Sequence, residues 1–559
     1  MTEPSSLEIA QATEPRPIAE VAADAGLLPE EVEPRLRHAA KVDLSVLERL
    51  GDAPDGRLVI VTGITPTSAG EGKTTTSVGL TQGLARMGIR AMLCLREPSM
   101  GPVFGAKGGG TGGGRAQVVP MEDINLHFTG DFHAIAAAHN LLAAALDASL
   151  QHGNALGIDI RTITWPRTLD VNERALRNIV VGLGGRPHGI PRESGFVITA
   201  ASELMAIVAM ATDPDDLRER LGRIAVGETA GGEPITAEHL RVAGSMAVLL
   251  KDAVRPNLVQ TLEGNPALIH TGPFGNIASG NSSIIADRVG LKLADLVVTE
   301  AGFGTDLGFE KFCHLVCRTG GLVPSAAVVV ATGRALKMHG GLSEEEARGV
   351  ENLEALERGA ENLAAHIDNV HAFGLPAVVA INHVPGDTGR ELELLRDLAL
   401  DMGADEVAVA EGYERGGEGM EDLAKAVLQA TERPSGFRPV NDEGTPIREQ
   451  IQRIATRIYG AEGVKYEPAA ERTLARIEER GLGELPVCMA KTHLSISHDP
   501  ALKGRPRGFT LPVRDLVASE GAGFVVVLCG DVLRMPGLGK DPAFTRMDLG
   551  PDGRITGLS

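Results

Sequence analysis

The run Thr67-Ser68-Ala69-Gly70-Glu71-Gly72-Lys73-Thr74 carries the clearest chemistry in this chain. It matches the phosphate-binding pattern G-x-x-x-x-G-K-[ST], with Thr67 at the place of the first glycine. The apolar run LVIVTG precedes it, and a helical pattern with Gly88 just past its end comes next. In such a strand–loop–helix setting the loop N–H groups and the helix N-terminus would cradle phosphates. Lys73 would reach the β- and γ-phosphate oxygens, and the Thr74 hydroxyl would help hold Mg2+. A glycine-rich turn with a solvated lysine would account for the residues alone; the flanking strand and helix favour the phosphate reading. The next strand, Arg90–Leu95, runs into Arg96-Glu97-Pro98. Consecutive strands of a parallel sheet end on the ligand-binding edge, so Arg96 is placed near the phosphates, as a clamp for phosphate or carboxylate.

Three other groupings invite chemistry. Gly108 to Gly114 read GGGTGGG, and Gly108, Gly110 and Gly113 formally match a dinucleotide fingerprint. That reading is rejected, because no strand precedes the cluster and RAQVVPMEDINLHF does not open as a helix. A flexible or tightly turned loop flanked by Lys107 and Arg115, able to meet anionic groups, fits better. His127, Asp131 and His133 are spaced closely enough for a metal, or for structural hydrogen bonding around a cleft, the reading adopted. Cys313 and Cys317 could share a helix face, but without a second pair they read as buried thiols rather than a zinc site.

These residues need a scaffold that delivers them to one edge. Short, Val-rich runs apolar on both faces occur at Leu58–Thr62, Ala91–Leu95, Phe196–Ala200, Leu296–Thr299, Ala327–Ala331, Ala377–Ile381, Glu406–Ala410, Pro486–Ala490 and Phe524–Leu528. Helical stretches separate them. Buried parallel strands with helices on each side are implied, an α/β fold. The first ~20 residues read as a polar, partly mobile arm, and Ile18 to Leu50 read as helical from their three- and four-residue apolar spacing.

The length, 559 residues, suggests two to four domains. Soft boundaries fall near residue 360 and in TERPSGFRPVNDEGTP. A net charge of −20 argues against coating nucleic acid or an anionic membrane, while leaving room for a local basic pocket. Aromatics make up only 3%, so the core must be aliphatic. Five cysteines, mostly in apolar runs, suit a reducing cytoplasm rather than a disulfide framework. The acidic N-terminus lacks the apolar segment of a signal peptide, and no run of apolar residues is long enough to span a bilayer.

Taken together, the motifs resemble formate–tetrahydrofolate ligases over almost the whole chain. TSAGEGKTTT is similar to that family's TPAGEGKTTT loop, with Ser68 replacing proline. REPSMGPVFGAKGGGTGGGRAQVVPMEDINLHFTGDFHAI is similar to its longest signature stretch. TWPRTLDVNERALR, HTGPFGNIASGNSS, TEAGFGTDLGFEKF, ATGRALKMHGG, KTHLSISHDP and MPGLGKDPAF add further blocks.

The resemblance implies a phosphate-loop NTPase-like, mainly parallel sheet with helices on both faces, plus two smaller α/β domains. Residues 1–360 would form the nucleotide-binding catalytic domain, 361–440 the folate-contacting domain, and 441–559 a C-terminal α/β domain. It also implies ATP-dependent joining of formate to tetrahydrofolate through formyl phosphate, with Lys73 and Arg96 catalytic. A homotetramer and a monovalent cation such as K+ come with it. The family sandwiches the pterin between a Phe and a Trp. At the matching positions this chain carries Val384, in Asn382-His383-Val384, and Tyr413, in Tyr413-Glu414-Arg415-Gly416-Gly417. Rival readings are another phosphate-loop carboxylate ligase, which would be far shorter and lack GGGTGGG, and a regulatory ATPase switch, which usually needs membrane or partner elements.

Overall fold

The computed structural model describes residues 4–68, 70–105 and 109–558. Ala69, Lys107 and Gly108, named above, lie outside the described residues.

A 12-stranded sheet organises the chain. Its strands are β1 (Val32–Leu36), β2 (Ala39–Val42), β3 (Arg57–Gly63), β4 (Ala91–Leu95), β5 (Gly112–Gly113), β6 (Ala116–Val119), β7 (Asn257–Thr261), β8 (Pro266–Ile269), β9 (Leu296–Gly304), β10 (Pro324–Ala331), β11 (Ala377–Asn382) and β12 (Glu406–Ala410). The spatial order is β1-β2-β7-β8-β4-β9-β3-β10-β11-β12, with β5 and β6 attached at β7. From β8 to β12 along this path every pairing is parallel; β1, β2 and β7 run antiparallel at the other side.

Alternate residues of β3 explain why helices cover both faces. Val59 and Val61 pack with Val78 and Leu84 of α1 (Lys73–Arg86) and with Leu423 and Val427 of the helix Glu421–Ala430. Leu58 and Ile60 face the opposite layer, which holds Leu142 of α2 (Asp131–Gln151), Val289 of α3 (Ile284–Leu293) and Leu363 of α4 (Leu353–Ala372). All four β3 side chains are at most 1% exposed. Each such valine or leucine contributes roughly 1.5–3 kcal/mol on burial.

Three local expectations change. Residues 18–50 are not one helical unit. A helix covers Ile18–Asp24, but Pro29 opens a turn of 3-10 helix, and β1, which contains Pro34, pairs with β2 as an edge hairpin. The early arm is anchored. Ser5 closes a capping box on the helix Ser6–Ala12, Leu7 is buried, and the Ser6 hydroxyl accepts from Gly114 N–H at 3.0 Å. Phe196–Ala200 is not a central strand. Only Phe196–Val197 is extended, paired with Arg167–Thr168 outside the main sheet, before a turn of 3-10 helix at Thr199–Ala201. The two late runs are strands, β13 (Val487–Ala490) and β15 (Phe524–Leu528). With β14 (Asp515–Ser519) they form a separate three-stranded sheet. No described helix is long and apolar enough to cross a membrane.

Candidate active site

The site forms at the carboxyl edge of β4, β9 and β3, because β9 is inserted between the other two. The loop after β3 turns through Gly70 and Gly72, both at positive φ (73° and 77°). A Cβ on Gly72 would also stand 2.3 Å from the Asn382 amide nitrogen, so glycine is required there twice over. α1 begins at Lys73 with no side-chain cap, leaving its first N–H groups available to an anion.

Glu71 closes the loop on itself. Its carboxylate accepts from Thr67 N–H at 2.7 Å and Thr67 Oγ1 at 3.2 Å, and it lies 3.8 Å from Lys73 Nζ. Asn382, at the end of β11, donates to the Glu71 carbonyl at 3.0 Å, which ties the loop to the strand preceding His383 and Val384. Ser68 donates to the Glu344 carboxylate. Under the loop, His366 Nε2 meets Thr65 Oγ1 at 3.0 Å and its Nδ1 meets Thr305 Oγ1 at 2.6 Å. His339 Nε2 meets the Thr65 carbonyl at 2.9 Å. Burial pushes both imidazoles down to about 4, so they are neutral braces.

Glu300, on β9, is a site residue that sequence reasoning does not single out. Thr74 Oγ1 donates to Glu300 Oε2 at 2.7 Å, while Glu300 Oε1 lies 3.8 Å from the Arg96 guanidinium. Its place in TEAGFG at the end of an apolar run is the available signal. Arg96 also donates to the Pro273 carbonyl at 3.4 Å; burial lowers its pKa, and Glu300 opposes that shift. The sheet therefore brings Lys73, Thr74, Glu300 and Arg96 to one edge. A hydroxyl beside a carboxylate is a hard oxygen donor set, which suits Mg2+. Next to Arg96, burial and then Asp131 push the Glu97 carboxyl well above the usual range.

Asp131 is occupied structurally. Both its oxygens take Lys41 Nζ at 2.7 Å, and Asn257 donates to it at 2.8 Å. No group of three His, Cys, Asp or Glu among the described residues could hold a metal. All five cysteines are buried and unpaired.

The glycine cluster meets Tyr413. A Cβ on Gly114 would lie 2.8 Å from the Tyr413 Cγ, one on Gly113 3.1 Å from its Cε2, and Arg115 N–H donates to the Tyr413 carbonyl at 2.8 Å. The glycines thus let backbone lie against the ring, and the chain continues from them into β6, not a helix. Tyr413 remains 43% exposed, so part of its surface is open to a ligand. Val384, partly buried, donates its N–H to Asp387 at 3.1 Å. Val384 and Tyr413 lie just past neighbouring parallel strands, β11 and β12, in which Asn382 pairs with Ala410.

A mainly parallel α/β sheet that presents a glycine-bent loop and a helix N-terminus beside fixed cations is an NTPase-like architecture. The family model for formate–tetrahydrofolate ligase matches residues 4–559, and the chain belongs to that family. Similar relatives named formate–tetrahydrofolate ligase include one from Roseiflexus sp. (strain RS-1), 53% identical over 568 residues, spanning 99% of this chain and 100% of the relative. One from Saccharopolyspora erythraea is 53% identical over 566 residues, spanning 100% of both chains.

Proposed function

We propose that this protein joins formate to tetrahydrofolate using ATP, giving 10-formyltetrahydrofolate, ADP and phosphate by way of formyl phosphate. Family membership supports the overall reaction. The observation that carries the chemistry is the convergence of Lys73, Thr74, Glu300 and Arg96 on one sheet edge.

Formate is a poor electrophile because its carboxylate is anionic and resonance-stabilised. A formate oxygen attacks the γ-phosphorus of ATP while the bond to ADP breaks, giving a mixed anhydride. The tetrahydrofolate amine then attacks the formyl carbon; phosphate leaves with the bonding electrons, and the amine loses its proton. Phosphoryl transfer of this kind is catalysed mainly by positioning and fixed positive charge. Thr67 to Thr74 are assigned to the triphosphate, with Lys73 exchanging Glu71 for phosphate oxygens. Arg96 is assigned to the formyl phosphate. Thr74 and Glu300 would hold Mg2+, which when bound neutralises phosphate charge. Tyr413 and Val384 are assigned to the pterin. A homotetramer in the cytoplasm and activation by a monovalent cation such as K+ complete the reading.

ATP hydrolysis measured with formate and tetrahydrofolate present together, singly and absent tests this. Turnover that needs both supports the ligase; turnover indifferent to both fits a regulatory ATPase instead.

A further inference from the structure

A cavity of about 630 Å3, lined by none of these residues, lies between the Ile160–Val197 segment and Val532–Met535. Its size suits a small molecule. One wall is the strand Arg192–Ser194, which pairs with Ile179–Val181. The C-terminal segment is pinned across it, since Ile198 N–H donates to the Arg534 carbonyl at 2.9 Å and Arg177 Nε to the Met535 carbonyl at 2.9 Å.

The lining is cationic in a chain whose net charge is −20. Arg161, Arg177, Arg192 and Arg534 line the cavity against a single carboxylate, Glu193. Arg161 is neutralised by Asp159 at 2.5 Å. Arg192 shares Asp147 with Arg167, so one carboxylate serves two guanidiniums. Neither Arg177 nor Arg534 forms an ion pair with any described residue. The Arg192 side chain is only 8% exposed, yet its Nε has no hydrogen-bond partner. A buried N–H donor without an acceptor is costly, and an anion in the cavity would supply one.

The floor is flat and neutral. Trp165 is 5% exposed, stacks on His139 at 4.3 Å, and donates its indole N–H to the His139 carbonyl at 3.2 Å. Burial pushes His139 down to about 3, so no charge sits beneath the ring. Phe196 adds a further apolar surface.

We propose that this cavity binds a small polyanion, a molecule bearing at least two phosphate or carboxylate groups, with Arg177, Arg192 and Arg534 as its anchors. The inference stands on the cavity and is independent of the ligase reading. Phosphates and carboxylates share the required chemistry, and guanidinium forks donate to either.

The chain has one tryptophan, so its intrinsic fluorescence reports on this floor directly. The full-length protein would be titrated with tripolyphosphate and, separately, with citrate, following Trp165 emission and binding heat. Saturable binding of either is expected, weakened about tenfold or more in Arg534→Gln and in Arg177→Gln and largely retained in Arg534→Lys. The probe that binds tells phosphate from carboxylate. Arg534 is exposed, so its substitution is expected to leave the fold intact, which a circular-dichroism spectrum checks. Absence of saturable binding by both readouts, or binding unchanged in both glutamine variants, would overturn the proposal.

Discussion

Thr74 Oγ1 donates to Glu300 Oε2 at 2.7 Å, across the boundary between α1 and β9. The same carboxylate faces Arg96. Glu300 is therefore the hinge between the phosphate end of the site and the end assigned to formate. Glu300→Gln keeps the shape and removes the charge. It is expected to raise the Mg2+ concentration needed for half-maximal turnover and to lower kcat about tenfold or more, the worth of a charge-assisted contact. Thr74→Ser, which keeps the hydroxyl, should behave almost as wild type. An unchanged Mg2+ titration in Glu300→Gln would remove this residue from the metal assignment.

Lys73→Ala is expected to lower turnover by at least about a hundredfold, because fixed charge at a transferring phosphoryl group contributes several kcal/mol. Arg96→Ala should damage formate activation more than ATP binding. Nucleotide titrations beside steady-state kinetics separate the two. If Arg96→Ala weakened ATP binding alone, Arg96 would belong to the triphosphate instead.

Tyr413→Ala should weaken tetrahydrofolate binding by a few-fold to about tenfold, the value of an aromatic contact of about 0.5–1.5 kcal/mol. Val384→Phe should tighten it by a similar factor. ATP affinity should stay unchanged in both. Equilibrium titration with folate measures this, and wild-type folate affinity in Tyr413→Ala would place the pterin elsewhere.

His366 gives the scaffold a pH dependence of defined sign. It is fully buried and neutral, with its pKa pushed down to about 4. The unfolded chain takes up this proton near pH 6.5, whereas the folded chain resists it until about pH 4. Stability is therefore unaffected well above pH 6.5 and is lost as pH falls from there toward 4. Between pH 7 and 5 the single group accounts for about 2 kcal/mol. His366→Gln should flatten the denaturation profile by about that amount. Parallel profiles for the two proteins would show that His366 is not held neutral.

The central strands are readable because burial on both faces demands continuous Val-rich runs, as at Leu58–Ile60 and Val328–Val330. The glycine-bent turn between β3 and α1 is readable because its glycines are needed at nearby positive-φ positions. Glu300 is not, since its role arises only when β9 inserts between β3 and β4, which no local pattern encodes. Residues 32–42 mislead for a related reason. Three- and four-residue apolar spacing also describes an edge hairpin in which Lys41 is buried by a distant partner, Asp131. The glycine cluster enters a short β-hairpin at Gly112–Gly113 rather than a loop alone, and its contact with Tyr413, about 300 residues later, needs the fold.

Spectroscopic detection of 10-formyltetrahydrofolate, after acid converts it to the methenyl form, tests the central claim most directly. Product is expected only when MgATP, formate and tetrahydrofolate are all supplied to the purified protein. Product formed with ATP omitted, or none formed with all three present, would contradict the account.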